Sequence, residues 1–505
     1  MNSESQPAVS VAARSSRFAR RLVGYAGALV AMIIRLEATT YWVATDGSDS
    51  NNGTSSNTPF ATPYFAGRIA SLTGGDTIYV RGGTYTLNTQ VKLGKAASNA
   101  GTPGNPIKFW AYPGELPVFD FATITNVTKA LDVRQSYWHV KGIEVKNGSD
   151  TGIFVAGTGN IIEGCVIHHC NNDGLTLGST TLRATNSLIL NCDSYQNYQA
   201  NSNGDNGDGF SAKAGNGPGN VFRGCRAWHN SDDAWDFYDN DIPVVLENCW
   251  GFWNGYNIFG YVGTWNGNGN GFKLGGEGTA AEHRLTNCIA FGNRSKGFDH
   301  NNGNAGQTMV NCTSYSNNAA NFSFYETPTE GTLLRSIFIN NVSFVGTLTN
   351  LAANSLMISN SWQIATVTAA DFASLNTAIA TNVRNADFTL PTNSLFRLVA
   401  GSDLIDRGLN VGLPFNGSAP DLGAFEFVAA SLPRLIQVSP GGWTNGLFRL
   451  DVSGLTAHGP VVIHASTNFT AWTPIHTNAA ASGTISYTDA AAVNWPRRFY
   501  RAEEQ

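Results

Sequence analysis

At 505 residues the chain is too long for one ordinary globular core, and 55 glycines with only 13% charged residues favour a turn-rich β architecture over helices. A net charge of −5 and the lack of any clustered Lys/Arg face leave no footprint for nucleic acid. A solenoid or a set of β units suits these proportions.

In chain order, Arg14 to Arg21 is basic, Leu22 to Ile34 is apolar, and Leu36-Glu37-Ala38 offers a cleavage site. We read residues 1–38 as a secretory signal peptide, with a retained membrane anchor as the alternative, and expect a secreted, monomeric protein. Tyr41 to Asp49 and Gly75 to Tyr85 then read as strands and turns that cap a solenoid.

From Cys165 onward a frame recurs. Gly164-Cys165, Asn191-Cys192, Gly224-Cys225, Asn248-Cys249, Asn287-Cys288 and Asn311-Cys312 follow one another at intervals of 24 to 39 residues, and Asn340-Asn341 continues the series. Such a period marks a solenoid with insertions. Five residues later a second column runs through Cys170, Asn197, Asn230, Asn254, Asn293 and Asn317, which predicts an asparagine ladder at a bend. The cysteines are expected as reduced thiols stacked inside, acting as small hydrophobes.

A third column set aligns segments starting at Thr151, Asp173, Asp208, Asp233, Asn270, Lys296 and Ala320. Their third positions, among them Leu175, Phe210, Trp235, Phe272 and Phe298, are all large and apolar, as a strand with one face in the core requires. Fourth positions therefore point outward, and parallel coils about 4.8 Å apart make a β-helix. Asp208 and Asp233 then share a column, with Asp232 beside the second, and Asp236 lies in the outward column between Ser211 and Lys273, with Asp299 beyond. Aspartates this close suit a hard cation such as calcium, although Asp also decorates turns. Lys273 is either a lone amine beside a metal pocket or one member of a salt-bridged row.

Beyond the repeats, Thr368 to Ala380 predicts a short helix capped by Thr368, with Phe372, Leu375 and Ile379 on one face. Gly401 to Gly408 and Ala419 to Glu426 read as terminal coils whose aspartates serve turns. After Val428 the short alternating runs predict a small β-sandwich. We therefore divide the chain into 1–38, a β-helix over 39–428, and a C-terminal β module over 429–505. Trp472 and Trp495 are expected in the core of that module, whereas Trp265, in the aromatic loop Gly255 to Gly269, is the better candidate for stacking on a sugar.

The runs DGFSAK, SDDAWDFYD and GNGFKLGG, all between Asn203 and Asn302, resemble family 9 of the polysaccharide lyases, the right-handed parallel β-helix pectate lyases. Ala234 stands where the pattern usually has Gly. The resemblance implies calcium held by Asp208, Asp232, Asp233 and Asp236, Lys273 as the Brønsted base, and an acidic plant-type polysaccharide, polygalacturonate or rhamnogalacturonan, as substrate. We place Lys213 against a substrate carboxylate and count Arg294 and Lys296 as further substrate contacts. The expected reaction is β-elimination: carbon 5 of a uronate loses its proton beside a cation that offsets the developing charge, and an unsaturated uronate results. A polygalacturonase would need two acid–base carboxylates on the same scaffold, but its Gly-His-Gly and Arg-Ile-Lys motifs are missing. A non-catalytic surface β-helix would need no lysine beside the aspartates.

Overall fold

A computed structural model describes residues 38–126, 128–325, 335–349, 351–428, 436–457 and 459–504. The N-terminal basic and apolar run lies outside them. What turns the chain is the residue before each frame cysteine: Gly164, Asn191, Gly224, Asn248, Asn287 and Asn311 all have φ between 53° and 64°. Gly and Asn bear this left-handed conformation best, so the Gly/Asn-Cys pairs are corners.

Between corners the strands join in parallel, coil after coil. The first sheet has twelve strands, from Thr40–Val43 to Leu356–Ile358. The second and third have ten each, from Gly83–Thr86 to Val342–Phe344 and from Val91–Leu93 to Leu348–Thr349. Together they form the expected parallel β-helix. All seven cysteines are buried, unpaired thiols, and those of the ladder from Cys192 to Cys312 each point a sulfur at a carbonyl of the preceding coil. At the second corner the asparagines form the predicted ladder, each side-chain oxygen accepting the backbone N–H of the ladder residue before it, from Cys170 to Asn293, at 3.1–3.2 Å.

In the third sheet, Phe210, Trp235, Phe272, Phe298 and Phe322 stack with centroids 4.7–5.0 Å apart, which sets the register of the coils that carry the acidic cluster. The unusual Ala234 fits by an exchange across the core. A Cβ at Gly209 or Gly271 would meet Ala227 or Ala290 at 2.6–3.0 Å, whereas Ala234 faces Gly251, which has no side chain.

Two expectations about the segment after the coils fail. Thr368 to Ala380 is not one helix but two 3-10 turns, Ala369–Asp371 and Thr377–Thr381. The Thr368 cap exists, its N–H reaching Asp371 at 2.8 Å, but Phe372 is extended and bridges to Leu398, which sinks its ring into a cluster with Phe291 and Phe396. Burial of the aromatic outweighs local helix preference. The segments 401–408 and 419–426 are not coils either. They run irregularly over the outer face of the second sheet, where Leu404, Leu422 and Ala424 cover Trp228, Trp250, Phe252 and Phe291, and Asp406 and Asp421 serve turns as expected. Arg384 fastens this wrap: with Arg226 it grips buried Asp193 at 2.7 Å from either side.

From Gln437 the chain is antiparallel. Two three-stranded sheets enclose Leu450, Val452, Leu455, Val461 and Ile463 as a separate core, a sandwich-like module as expected. Its tryptophans correct the sequence reading: Trp472 and Trp495 lie outside that core, and Trp495 is 49% exposed.

Candidate active site

The periodic spacing becomes a site in the third sheet. Asp208, Asp233 and Asn270 stand one residue before the inward glycine or alanine of successive coils, and each carboxylate accepts the backbone N–H of the next residue in the column. Asp208 Oδ1 accepts from Asp233 at 2.9 Å, and Asp233 Oδ1 from Asn270 at 2.6 Å. One oxygen of each aspartate is thus committed to the turn. The other oxygen, Oδ2 of Asp208 and of Asp233, is buried, free of the turn's N–H groups, and faces a lysine ammonium, Lys213 at 2.9 Å and Lys273 at 3.2 Å. Asp232 is aimed by two loops, its oxygens accepting the N–H groups of Asn206 and Asn268. Asp236 is in register with Ser211 and Lys273, and its Oδ1 takes the N–H of Tyr238.

All four carboxylates are buried, and one oxygen of each lies within 4.8 Å of the others. The outward column is thus outward in register yet not exposed: Ser211, Asp236, Lys273 and Asp299 are all buried. Loops at Asn206 and Asn268 are tied to Asp232, and the Tyr238 ring centroid lies 5.5 Å from Lys273 Nζ.

Two ammoniums enter this acidic pocket. Lys273 Nζ is 3.2 Å from Asp233 and 3.4 Å from Asp236, and Asp299 stands in register with Lys273 on the next coil. Lys213, expected on a substrate carboxylate, is placed against Asp208 at 2.9 Å and Asp236 at 3.0 Å. Four carboxylates outnumber two ammoniums in this buried space, and Asp173 adds acidic charge beside Asp208. Burial first, and like charge second, push Asp232 upward; burial also raises Asp208 and Asp233 against the pull of their lysines. Asp236 is held low, because two ammoniums outweigh its burial. Burial alone would lower Lys273, but the surrounding carboxylates overcome it and hold the ammonium protonated. Four buried carboxylates with one oxygen of each within 4.8 Å of the others, outnumbering the two ammoniums, fit one divalent, oxygen-loving ion.

The other expected contacts do other work in this structure. Arg294 donates to the carbonyl of Gly267 and packs along Gly255 and Gly269, so it props the loop 255–269. Lys296 pairs with Asp299 at 2.8 Å. Trp265 stacks with Tyr198 and Phe259 and donates its indole N–H to Gly255, so its ring packs within the loop. Asp173 was overlooked although it stands in the same column as Asp208. Its carboxylate binds the Ser211 hydroxyl at 2.5 Å and faces the Asp208 N–H. Tyr238, whose hydroxyl donates to Glu277, was likewise present in the SDDAWDFYD run but carried no signal of its own.

A family model described as Pel9A-like, right handed beta helix region, matches residues 41–341. The chain belongs to polysaccharide lyase family 9. Within that family it is 41% identical over 399 residues to pectate lyase L of Dickeya dadantii (strain 3937), covering 76% of this chain and 90% of that protein. Pectate lyase L of Paenibacillus polymyxa (strain SC2) is 35% identical, with 68% and 79% covered. The crystal structure of pectate lyase Pel9A superposes with a TM-score of 0.68 at 38% identity, covering 77% of this chain and 96% of that one. A rhamnogalacturonan lyase follows at 0.63 and 28%, covering 73% and 98%. The family 9 fold is right-handed, and this member of it is a pectate lyase-like polysaccharide lyase.

Proposed function

We propose that the protein is a secreted, monomeric, calcium-dependent lyase that cleaves pectate or polygalacturonate by β-elimination. In this reading residues 1–38 direct export, 39–428 are catalytic, and 429–505 are an accessory unit. The observation that carries the proposal is the buried cluster of Asp208, Asp232, Asp233 and Asp236, one oxygen of each within 4.8 Å of the others, with the Lys273 amine 3.2 Å from Asp233.

Asp208, Asp232, Asp233 and Asp236 hold the calcium. When bound, it supplies positive charge that draws electron density from a uronate carboxylate and acidifies the proton on carbon 5. Lys273 takes that proton. The C5–H electron pair becomes the C4–C5 double bond, the bond from carbon 4 to its oxygen breaks, and the leaving oxygen gains a proton from water. Lys273 acts only as a free amine, whereas the carboxylates by themselves keep it charged. Turnover therefore calls for compensation of the acidic cluster and favours alkaline pH. Arg294 and Lys296 support the substrate groove through the loop 255–269 and through Asp299, and Trp265 stiffens that loop.

The test is incubation with polygalacturonate and calcium, followed by the ultraviolet absorbance of the conjugated product. Excess chelator should abolish the signal and added calcium restore it; full activity in chelator refutes the metal assignment. Rhamnogalacturonan, suggested by the 28% identical lyase structure, is assayed in parallel.

A further inference from the structure

The C-terminal module has a cleft of about 300 Å³, lined among others by Ser466, Thr467, Thr473, Ile475, Trp495 and Arg498. The Trp495 indole is half exposed and lines this cleft. The Arg498 guanidinium lies 5.8 Å from the Trp495 ring centroid and is fixed by Asp489 at 2.7 Å. Beside it, Phe469, 61% exposed, packs on Phe499, and Arg501 lies over Trp472 at 4.9 Å.

Charge distinguishes this surface from a generic apolar patch. Asp451 is engaged by Arg449, Glu503 by His464 and Asp489 by Arg498. Arg497 and Arg501 are exposed, and among the described residues neither has a carboxylate partner. Flat aromatic faces and guanidinium groups thus lie together on this module, Arg498 beside Trp495 in the cleft and Arg501 over Trp472. A pyranose ring offers a C–H face to an indole, and a uronate offers a planar carboxylate to a guanidinium fork.

The geometry points to a second, non-catalytic carbohydrate site in which Trp495 stacks on a sugar ring and Arg498 with its arginine neighbours takes the carboxylates of an acidic polysaccharide. The ligand class rests on the proposed polyuronate substrate, but the site does not use the acidic cluster, so the two readings can fail separately. Tethering an enzyme to its polymer raises the effective concentration of cleavable bonds without new contacts at the catalytic centre.

The experiment is native affinity electrophoresis of the full chain through gels containing polygalacturonate or dextran, with chelator present to prevent turnover. The full chain and its Lys273→Ala variant should both be retarded by polygalacturonate and not by dextran. Trp495→Ala should weaken that retardation at least about fivefold, and so should Arg498→Gln made together with Asp489→Asn, which leaves no buried charge unpaired. Unchanged melting of each variant shows that the module is still folded. Absence of retardation, equal retardation in dextran, or indifference to both variants overturns the proposal. Retardation of the unaltered chain that is sensitive to Trp495→Ala, together with no lyase activity of that chain in the calcium assay, supports this site and counts against the catalytic reading instead.

Discussion

Replacing Lys273 by Met separates proton transfer from metal binding. Nζ lies 3.2 and 3.4 Å from two carboxylate oxygens, so each contact carries about 5 kcal/mol of attraction at an effective dielectric near 20, before desolvation takes most of it back. Methionine keeps the volume and removes the charge, and the pocket loses one of the two ammoniums that offset its carboxylates. Calcium affinity should therefore hold or rise, while kcat should fall by roughly 10²- to 10⁴-fold, the usual contribution of a general base. Calcium is followed by isothermal titration and turnover by the absorbance of the unsaturated product. If calcium affinity and turnover fall together, Lys273 is a structural counter-ion and not the base. Near-normal turnover in the variant would remove the assignment altogether.

Asp233→Asn keeps the hydrogen bonds from Asn270 but neutralises a ligand, and should weaken calcium binding at least about tenfold, or roughly 1.4 kcal/mol, by titration. Lys213→Met should tighten calcium binding, because it deletes an ammonium 2.9–3.0 Å from two of the ligands; an unchanged Kd with only a raised KM would return Lys213 to the role of substrate contact. Burial pushes His283 down to about 3 from 6.5, so folding gains from its neutral form above pH 6.5 and loses that gain as pH falls toward 3, by up to roughly 4–5 kcal/mol. His283→Gln, which keeps an acceptor for the Val244 N–H, should flatten the acid limb of the melting-temperature profile. The seven buried thiols, with Cys170 pushed up to about 12 by burial, should be inert to a thiol reagent in the native protein and all titrate in denaturant; intact-mass evidence of disulfides would contradict the thiol ladder.

The periodic columns were legible in the sequence because a parallel solenoid converts spacing along the chain into a fixed spacing between coils. The Gly/Asn-Cys frame marks the corners, the Asn column its ladder, and the shared register of Phe210, Trp235 and Phe272 places Asp208, Asp232, Asp233, Asp236 and Lys273 together. Whatever departs from the repeat was not legible. Phe372 left its helix because the cluster it joins through a bridge to Leu398, 26 residues further along, offered more burial than a local hydrogen-bonded turn, and Lys213 met Asp208 and Asp236 through a side-chain path that no column predicts. The burial of the outward column beside Tyr238 and the loops at Asp232, and the emergence of Trp495 from its module, also depend on contacts between insertions. Alternation and period tell which face a residue takes; only the tertiary structure decides what lies over that face.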